Sequence, residues 1–406
     1  MKKKLLFLLI AILAYSAKAQ TLESYLLLAE ENSPAIQAME LRYNIAKEKV
    51  NEVNTLPNTT FGAGYFVSEP ETRVGAQRAR FSVSQMLPWF GTITARENYA
   101  GSMVDAEYTE IVIAKRKLAL SLAQSYYVLY GIQAKKGVLE ENISLLKTYE
   151  KLALTSVEVG KASAVDVLKL QIRQNELQQQ RRILDQQYTA EQAVFNNLLN
   201  RDESIGVEVV SDMQIPSEDP ILGKEALTLN PELLKYDRLY ESVTQSELVN
   251  QKENAPSFGV GLDYIPVSER TDMMMSDNGK DILMPMVTFS IPIFNNKFNS
   301  VTKQNQLRQK EIELQKEERL NVLENAYAKA ISQRNEARIT FDIQSKNLKQ
   351  AKDAEEILIK NYETGTINFN DVLDIQELQL KFQTNQIQST QLYYMQSAII
   401  NYLINK

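Results

Sequence analysis

The 406-residue sequence repeats itself at long range. Ser33-Pro34 opens a helical pattern, and Asn230-Pro231 opens a matching one 197 residues later. Each pairs a capping side chain with proline at the first helical position, where the missing N–H costs nothing. Phe61-Gly62-Ala63-Gly64 recurs as Phe258-Gly259-Val260-Gly261, again offset by 197. Pro88-Trp89-Phe90 returns as Pro292-Ile293-Phe294, and Gly160 with Asp166-Val167-Leu168 returns as Gly365 with Asp371-Val372-Leu373. Four landmarks in one order mark a tandem duplication of a unit about 200 residues long, and a duplicated unit must fold the same way twice. The first repeat spans 20–201 and the second 219–406, joined by a linker at 202–218.

Each repeat has the same internal order. A helical segment comes first, then two short strands, then two much longer helices. The stretches 92–158 and 296–361 contain no proline and little glycine, three residues in the first and none in the second. At 1.5 Å per residue each predicts a helix on the order of 100 Å long. Glycine at 160 or 365 breaks it, and a second helix returns over 164–200 or 368–404. Such lengths suit a coiled coil or a helical barrel rather than ordinary globular packing. On the last helix Val372, Ile375, Leu378 and Phe382 form one apolar seam, and Leu392, Met395, Ile399 and Leu403 another. Between the seams the helices are rich in Gln, Asn, Ser and Lys, as at Gln178-Gln179-Gln180. Narrow seams with two wet faces fit a hollow assembly better than a solid bundle.

Residues 1–19 read as a signal peptide. Lys2, Lys3 and Lys4 precede an apolar run from Leu5 to Ala14, and Ala17-Lys18-Ala19 is a small-x-small cleavage site. The run is too short for a membrane span of roughly 20 residues. Cleavage before Gln20 leaves 41 basic against 51 acidic residues, a net charge of −10, which disfavours a nucleic-acid partner. Cysteine and histidine are both absent. That excludes disulfides, thiolate or imidazole catalysis, Cys- or His-ligated metals and a lipid anchor on cysteine. Hydrolysis by paired carboxylates and chemistry on Lys, Ser or Tyr stay possible on composition, but no glycine-rich or nucleophile motif supports them. The chain is therefore expected to be exported, not lipid-anchored and not an enzyme, with no cofactor.

Four segments alternate with period two, which places one residue set on each face of a strand. They are about 58–68, 77–87, 257–267 and 282–292. In the first, Phe61, Ala63, Tyr65 and Val67 alternate with Gly62, Gly64 and Phe66. In the second, Ala79, Phe81 and Val83 alternate with Arg80, Ser82 and Ser84. In the third, Phe258, Val260, Leu262 and Tyr264 alternate with Gly259, Gly261 and Asp263. In the fourth, Leu283, Val287, Phe289 and Ile291 alternate with Met284, Met286, Thr288 and Ser290. Segments of about 10 residues match tilted transmembrane strands, although amphipathic hairpins on a soluble core would show the same pattern. If they span a membrane, lipid cannot satisfy a strand edge, so the sheet must close. Four strands are too few for the smallest barrels of about eight, so membrane insertion requires other copies of the chain.

The ensemble resembles the TolC-like family of outer-membrane efflux ducts over essentially the whole mature chain. The resemblance rests on the duplication and the Phe-Gly-x-Gly strands. It rests also on Gln85-Met86-Leu87-Pro88-Trp89-Phe90-Gly91, and on Gly365-Thr366 followed by Asp371-Val372-Leu373-Asp374. It implies a mainly α fold with a small transmembrane β part. In a homotrimer, four strands per chain would complete a twelve-stranded barrel, and long helical hairpins would form an α-barrel tunnel across the periplasm. Implied partners are a periplasmic adaptor protein, an inner-membrane transporter of resistance-nodulation-division or ABC type, and outer-membrane lipid. The hairpin tips Val159-Gly160-Lys161 and Thr364-Gly365-Thr366 would dock the adaptor, and Asp371 with Asp374 would gate the periplasmic entrance. Threefold symmetry would turn those two carboxylates into charged rings that favour cations. Lys169 stands where Asp374 would recur in the first repeat, so only the second repeat carries the gate. On residues alone, Asp371 near a helix N-terminus reads first as a complement to the helix dipole.

Five of the eleven methionines lie within 273–286: Met273, Met274, Met275, Met284 and Met286. Thioethers suit Cu(I), and Met284 and Met286 share the polar strand face. An external loop with apolar filler is the favoured reading, and Asp277-Asn278-Gly279 reads as a turn rather than a calcium site. Two other functions remain open: an exit duct for type I protein secretion, and a soluble periplasmic coiled-coil scaffold.

Overall fold

The computed structural model describes residues 22–160, 163–220, 223–272, 274–364, 366–367 and 369–405. The signal-peptide segment, with Lys161, Met273 and Gly365, lies outside the described residues. Helix α1 (Leu22–Asn32) and α2 (Pro34–Val53) are separated by Ser33 alone, whose N–H still bonds Ala29 O at 3.0 Å. The break expected at Ser33-Pro34 is thus a single residue inside a nearly continuous ladder, with Ser33 Oγ accepting from Ile36 N. The long helices are α3 (Thr92–Glu158) and α6 (Lys297–Glu363), each of 67 residues. Their returning partners are α4 (Ala164–Leu198) and α7 (Asn370–Leu403). A 3-10 turn (Lys224–Leu229) precedes α5 (Pro231–Glu253). Asn230 at that start also donates its side-chain amide to Leu403 O at 2.9 Å, closing the last turn of α7.

The chain divides into two compact units. One combines Val112–Pro231 with Leu320–Lys406 and the segment through Ala38; the other combines Met39–Ile111 with Glu232–Arg319. Helices α3 and α6 contribute to both.

The first unit has two apolar cores. Around the hairpin breaks, Leu146, Tyr149, Leu170, Leu177, Phe369 and Val372 are buried together. Tyr149 and Tyr362 both meet the Phe369 ring edge-on, at 5.7 and 4.9 Å. The second core gathers Tyr25, Leu122, Tyr126, Leu129, Phe195 and Leu199. The inter-repeat linker is strapped onto it. Tyr25 Oη and Tyr126 Oη accept from the N–H groups of Glu208 and Val210, and Val207 is buried.

The second unit carries the sheet. Strands β1 (Thr60–Tyr65), β4 (Ala79–Leu87), β5 (Ser257–Ile265) and β6 (Ile282–Ser290) pair antiparallel in the order β1-β4-β5-β6. Strand β1 is shorter than its alternation suggested. A two-residue hairpin, β2 (Glu71–Thr72) with β3 (Gly75–Ala76), fills the first loop. The register stacks Phe61 with Val83, Val83 with Leu262, Val260 with Val287, and Phe258 with Phe289. All the apolar alternates therefore share one face. That face is bare: Phe61 is 79% exposed, Val287 67% and Phe289 69%.

Candidate functional site

The first candidate region is built from the hairpin breaks. Helix α3 ends because Gly160 adopts φ +74°, a left-handed conformation that a side chain resists. Val159 beside it is exposed. Helix α6 ends at the equivalent place with a different device. The hydroxyls of Thr364 and Thr366 both donate to Asn361 O, at 2.9 and 2.8 Å, and both residues are exposed.

The two returning helices start differently, and the difference concerns the candidate gate. In the first repeat Ser163 and Asp166 form a reciprocal capping box: Ser163 Oγ accepts from Val165 N, and Asp166 Oδ2 accepts from Ser163 N. Asp166 is buried and committed to that cap. In the second repeat the capping position is Phe369, whose side chain makes no cap bond. Asp371, the counterpart of Asp166, is left exposed in the first turn of α7. Asp374 follows one turn later, also exposed. Neither carboxylate has an ion-pair or hydrogen-bond partner among the described residues. The first-repeat residues Lys169 and Arg173 border the same groove of about 320 Å³ as Asp374. Lys169 Nζ donates to Asn370 Oδ1 at 2.7 Å, and Arg173 pairs with Glu176 at 2.9 Å. The two cations that line that groove are thus engaged with other partners.

Sequence reasoning missed the polar layer beneath this groove. The half-buried Glu355 accepts hydrogen bonds from Tyr149 Oη, Gln376 and Gln379. Burial, then the hydrogen bond to Glu355, pushes the Tyr149 hydroxyl pKa well above the ordinary tyrosine value. Gln376 and Gln379 recur with spacing three on the buried face of α7, a polar pattern inside an apolar seam that could have signalled it.

The second region is the polar sheet face. Ser82, Ser84, Asp263, Met284, Met286 and Thr288 share it. Arg80 and the fully buried Asp263 form an ion pair there. Gly259 leaves room for Met86: a Cβ built on it would lie 2.6 Å from Met86 Sδ. Met284 and Met286 occupy the face assigned to them, but Arg80 Nη2 approaches Met286 Sδ at 4.0 Å. A guanidinium beside a thioether opposes a second cation. Met274 and Met275 are exposed in the loop after β5. Asp277-Asn278-Gly279 is a turn, held by Asn278 bridging the Arg270 backbone at 2.7 and 2.8 Å. Replacing all five methionines of 273–286 with leucine is expected to leave copper tolerance of the producing cells unchanged. A clear loss in a growth assay on copper would reverse that assignment.

No protein-family model matches the chain, and no curated protein matches it. Solved structures do. The outer membrane protein VceC from Vibrio cholerae aligns over 94% of this chain and 95% of its own, at 14% identity and a TM-score of 0.72. CusC aligns over 95% and 92%, at 13% identity and 0.75; its structures concern folding and transmembrane channel formation. The Neisseria gonorrhoeae MtrE outer membrane channel, in its open state, aligns over 94% and 88%, at 14% and 0.74. The alignments run nearly end to end, so the duplicated helices and the four-stranded sheet are matched together. The chain has the TolC-like fold of bacterial outer-membrane channels.

Proposed function

We propose that this protein is the outer-membrane exit duct of a tripartite efflux system. It is a passive homotrimer that exports small toxic compounds or metal ions. One observation carries the reading: a four-stranded sheet with a bare apolar face and two edges, β1 and β6, that find no further strand among the described residues. In lipid such edges are satisfied only by closure, and three copies reach twelve strands. Beyond the strand ends adjoining the long helices, the aromatic Trp89, Phe90 and Phe294 are exposed, as an aromatic belt at a membrane–water interface requires. The long helices form the periplasmic tunnel. The tips at 159–161 and 364–366 receive the adaptor, which links the duct to an inner-membrane transporter, and Asp371 and Asp374 gate the entrance.

The fold likeness supports this assignment, since the matched proteins are described as outer-membrane proteins or channels. Fractionation tests it. The protein is expected in the outer-membrane fraction, released only by detergent, with a protein mass by light scattering three times that of the mature chain. Recovery as a monomer from the soluble periplasm would overturn both the membrane and the trimer assignments together.

A further inference from the structure

The duplication brings two equivalent strand-to-helix corners to one recess in the second unit. Pro88-Trp89 leads from β4 into α3, and Pro292 leads from β6 into α6. The recess they share has a volume of about 400 Å³, within the range of small-molecule sites, and all its lining residues belong to that unit. Pro88, Trp89 and Pro292 line it, and so do the first residues of both 67-residue helices, Thr92 and Lys297.

Charge is placed there against the helix dipoles. The N-terminal end of a helix carries about half a positive charge and favours an acid in its first turn. Neither α3 nor α6 has one, and α6 instead begins on Lys297. Lys252 ends α5, where a cation suits that helix. Its Nζ nevertheless lies 3.6 Å from the point a Cβ on Gly91 would occupy, beside the start of α3. The recess holds one acid, Glu253, and Arg96 engages it through Nε and Nη2 at 3.0 and 2.8 Å. Neither Lys252 nor Lys297 has a carboxylate partner among the described residues, and Lys297 Nζ stands 5.6 Å from the centroid of the Phe298 ring. Two ammoniums therefore sit at two positive helix ends, an arrangement that an anion between them would relieve.

A second observation marks the same place. Thr92 is only 2% exposed and lines the recess, and its hydroxyl has no hydrogen-bond partner among the described residues. Buried hydroxyls are normally satisfied, so this donor lacks an acceptor.

We propose that this recess binds the phosphate group of an acidic phospholipid. The phosphate lies between Lys252 and Lys297 and accepts a hydrogen bond from the Thr92 hydroxyl. The glycerol and acyl part leaves past Met86, Leu87 and Trp89, which line the same recess. Phosphate with ammonium makes charge-assisted hydrogen bonds, and helix N-termini are ready anion sites. A lipid as the source of the phosphate rests on the duct reading, in which Trp89, Phe90 and Phe294 mark the membrane–water interface.

Trp89 is the sole tryptophan of the chain, so its fluorescence reports on the recess directly. The intact protein, extracted in detergent, is titrated with dihexanoyl phosphatidylglycerol, dihexanoyl phosphatidylcholine and inorganic phosphate. Phosphatidylglycerol should change Trp89 emission saturably and bind about tenfold tighter than phosphatidylcholine, whose own cation opposes the two ammoniums. Lys252→Gln combined with Lys297→Gln should weaken it by about tenfold, and Thr92→Val, which keeps the side-chain shape, by about threefold or more. Lys303→Gln, on α6 but outside the recess, should leave it unchanged. Equal affinities for the two lipids would overturn the proposal. So would a double lysine variant that binds like the parent, or inorganic phosphate that matches phosphatidylglycerol. A soluble monomer at the extraction step fails the duct reading and the lipid source with it, whereas an extracted trimer without the saturable response fails the lipid site alone.

Discussion

Val287→Arg is expected to abolish recovery of the trimer from membranes, while Thr288→Lys, one residue away, is expected to leave it intact. Both residues lie in β6, and both are exposed in the single chain. They point to opposite faces. Val287 sits opposite Val260 on the apolar side, whereas Thr288 sits opposite Gly259 on the side shared with Arg80 and Asp263. In a lipid-facing strand near mid-depth an arginine costs about 2–4 kcal/mol, and a trimer incurs that cost three times. A lumen-facing lysine meets water. A soluble scaffold predicts no such contrast: exposed-site substitutions there stay within about 0.5 kcal/mol, and both variants would behave like the parent. The measurement is trimer yield after detergent extraction, by size exclusion with light scattering. Equal yields from Val287→Arg and the parent would remove the membrane assignment.

Asp371→Ala combined with Asp374→Ala is expected to lower cation preference of the purified channel in planar bilayers by about tenfold. A carboxylate in water acts on a monovalent cation about 7 Å away with roughly 0.6 kcal/mol. Six of them, reduced to about 0.4 of that by a Debye length near 8 Å, leave about 1.4 kcal/mol. The estimate rests on both acids being exposed and unpaired, with Lys169 hydrogen-bonded to Asn370 and Arg173 paired to Glu176. Unchanged reversal potentials in a salt gradient would show that the charges act elsewhere, and the gate would then have to be sought in other residues.

Much of this architecture was readable before any coordinates. Period-two alternation named the apolar face residue by residue, because a pleated strand leaves side chains no other choice. The long helices were equally plain, since stretches free of proline with glycine beyond their ends leave few other conformations. The two-residue hairpin at 71–76 was not visible, because two residues carry no periodicity. The Ser163–Asp166 box was legible in retrospect as a cap three residues apart, and it bears directly on the gate. Duplication made Asp166 and Asp371 look equivalent, yet Asp166 is buried in its capping box while Asp371 is exposed.

That unequal start has a consequence for motion. A missing N-cap removes about 1 kcal/mol from the end of a helix. At the first turn of α7 the side chain of Phe369 makes no cap bond and packs instead against Tyr149 and Tyr362. Its counterpart in α4 is fastened by its own sequence. Amide hydrogens of residues 371–374 should exchange sooner than those of 166–169, making the acid-bearing turn the more readily unwound of the pair. The turn that carries the two exposed acids is the one held by ring packing at its start.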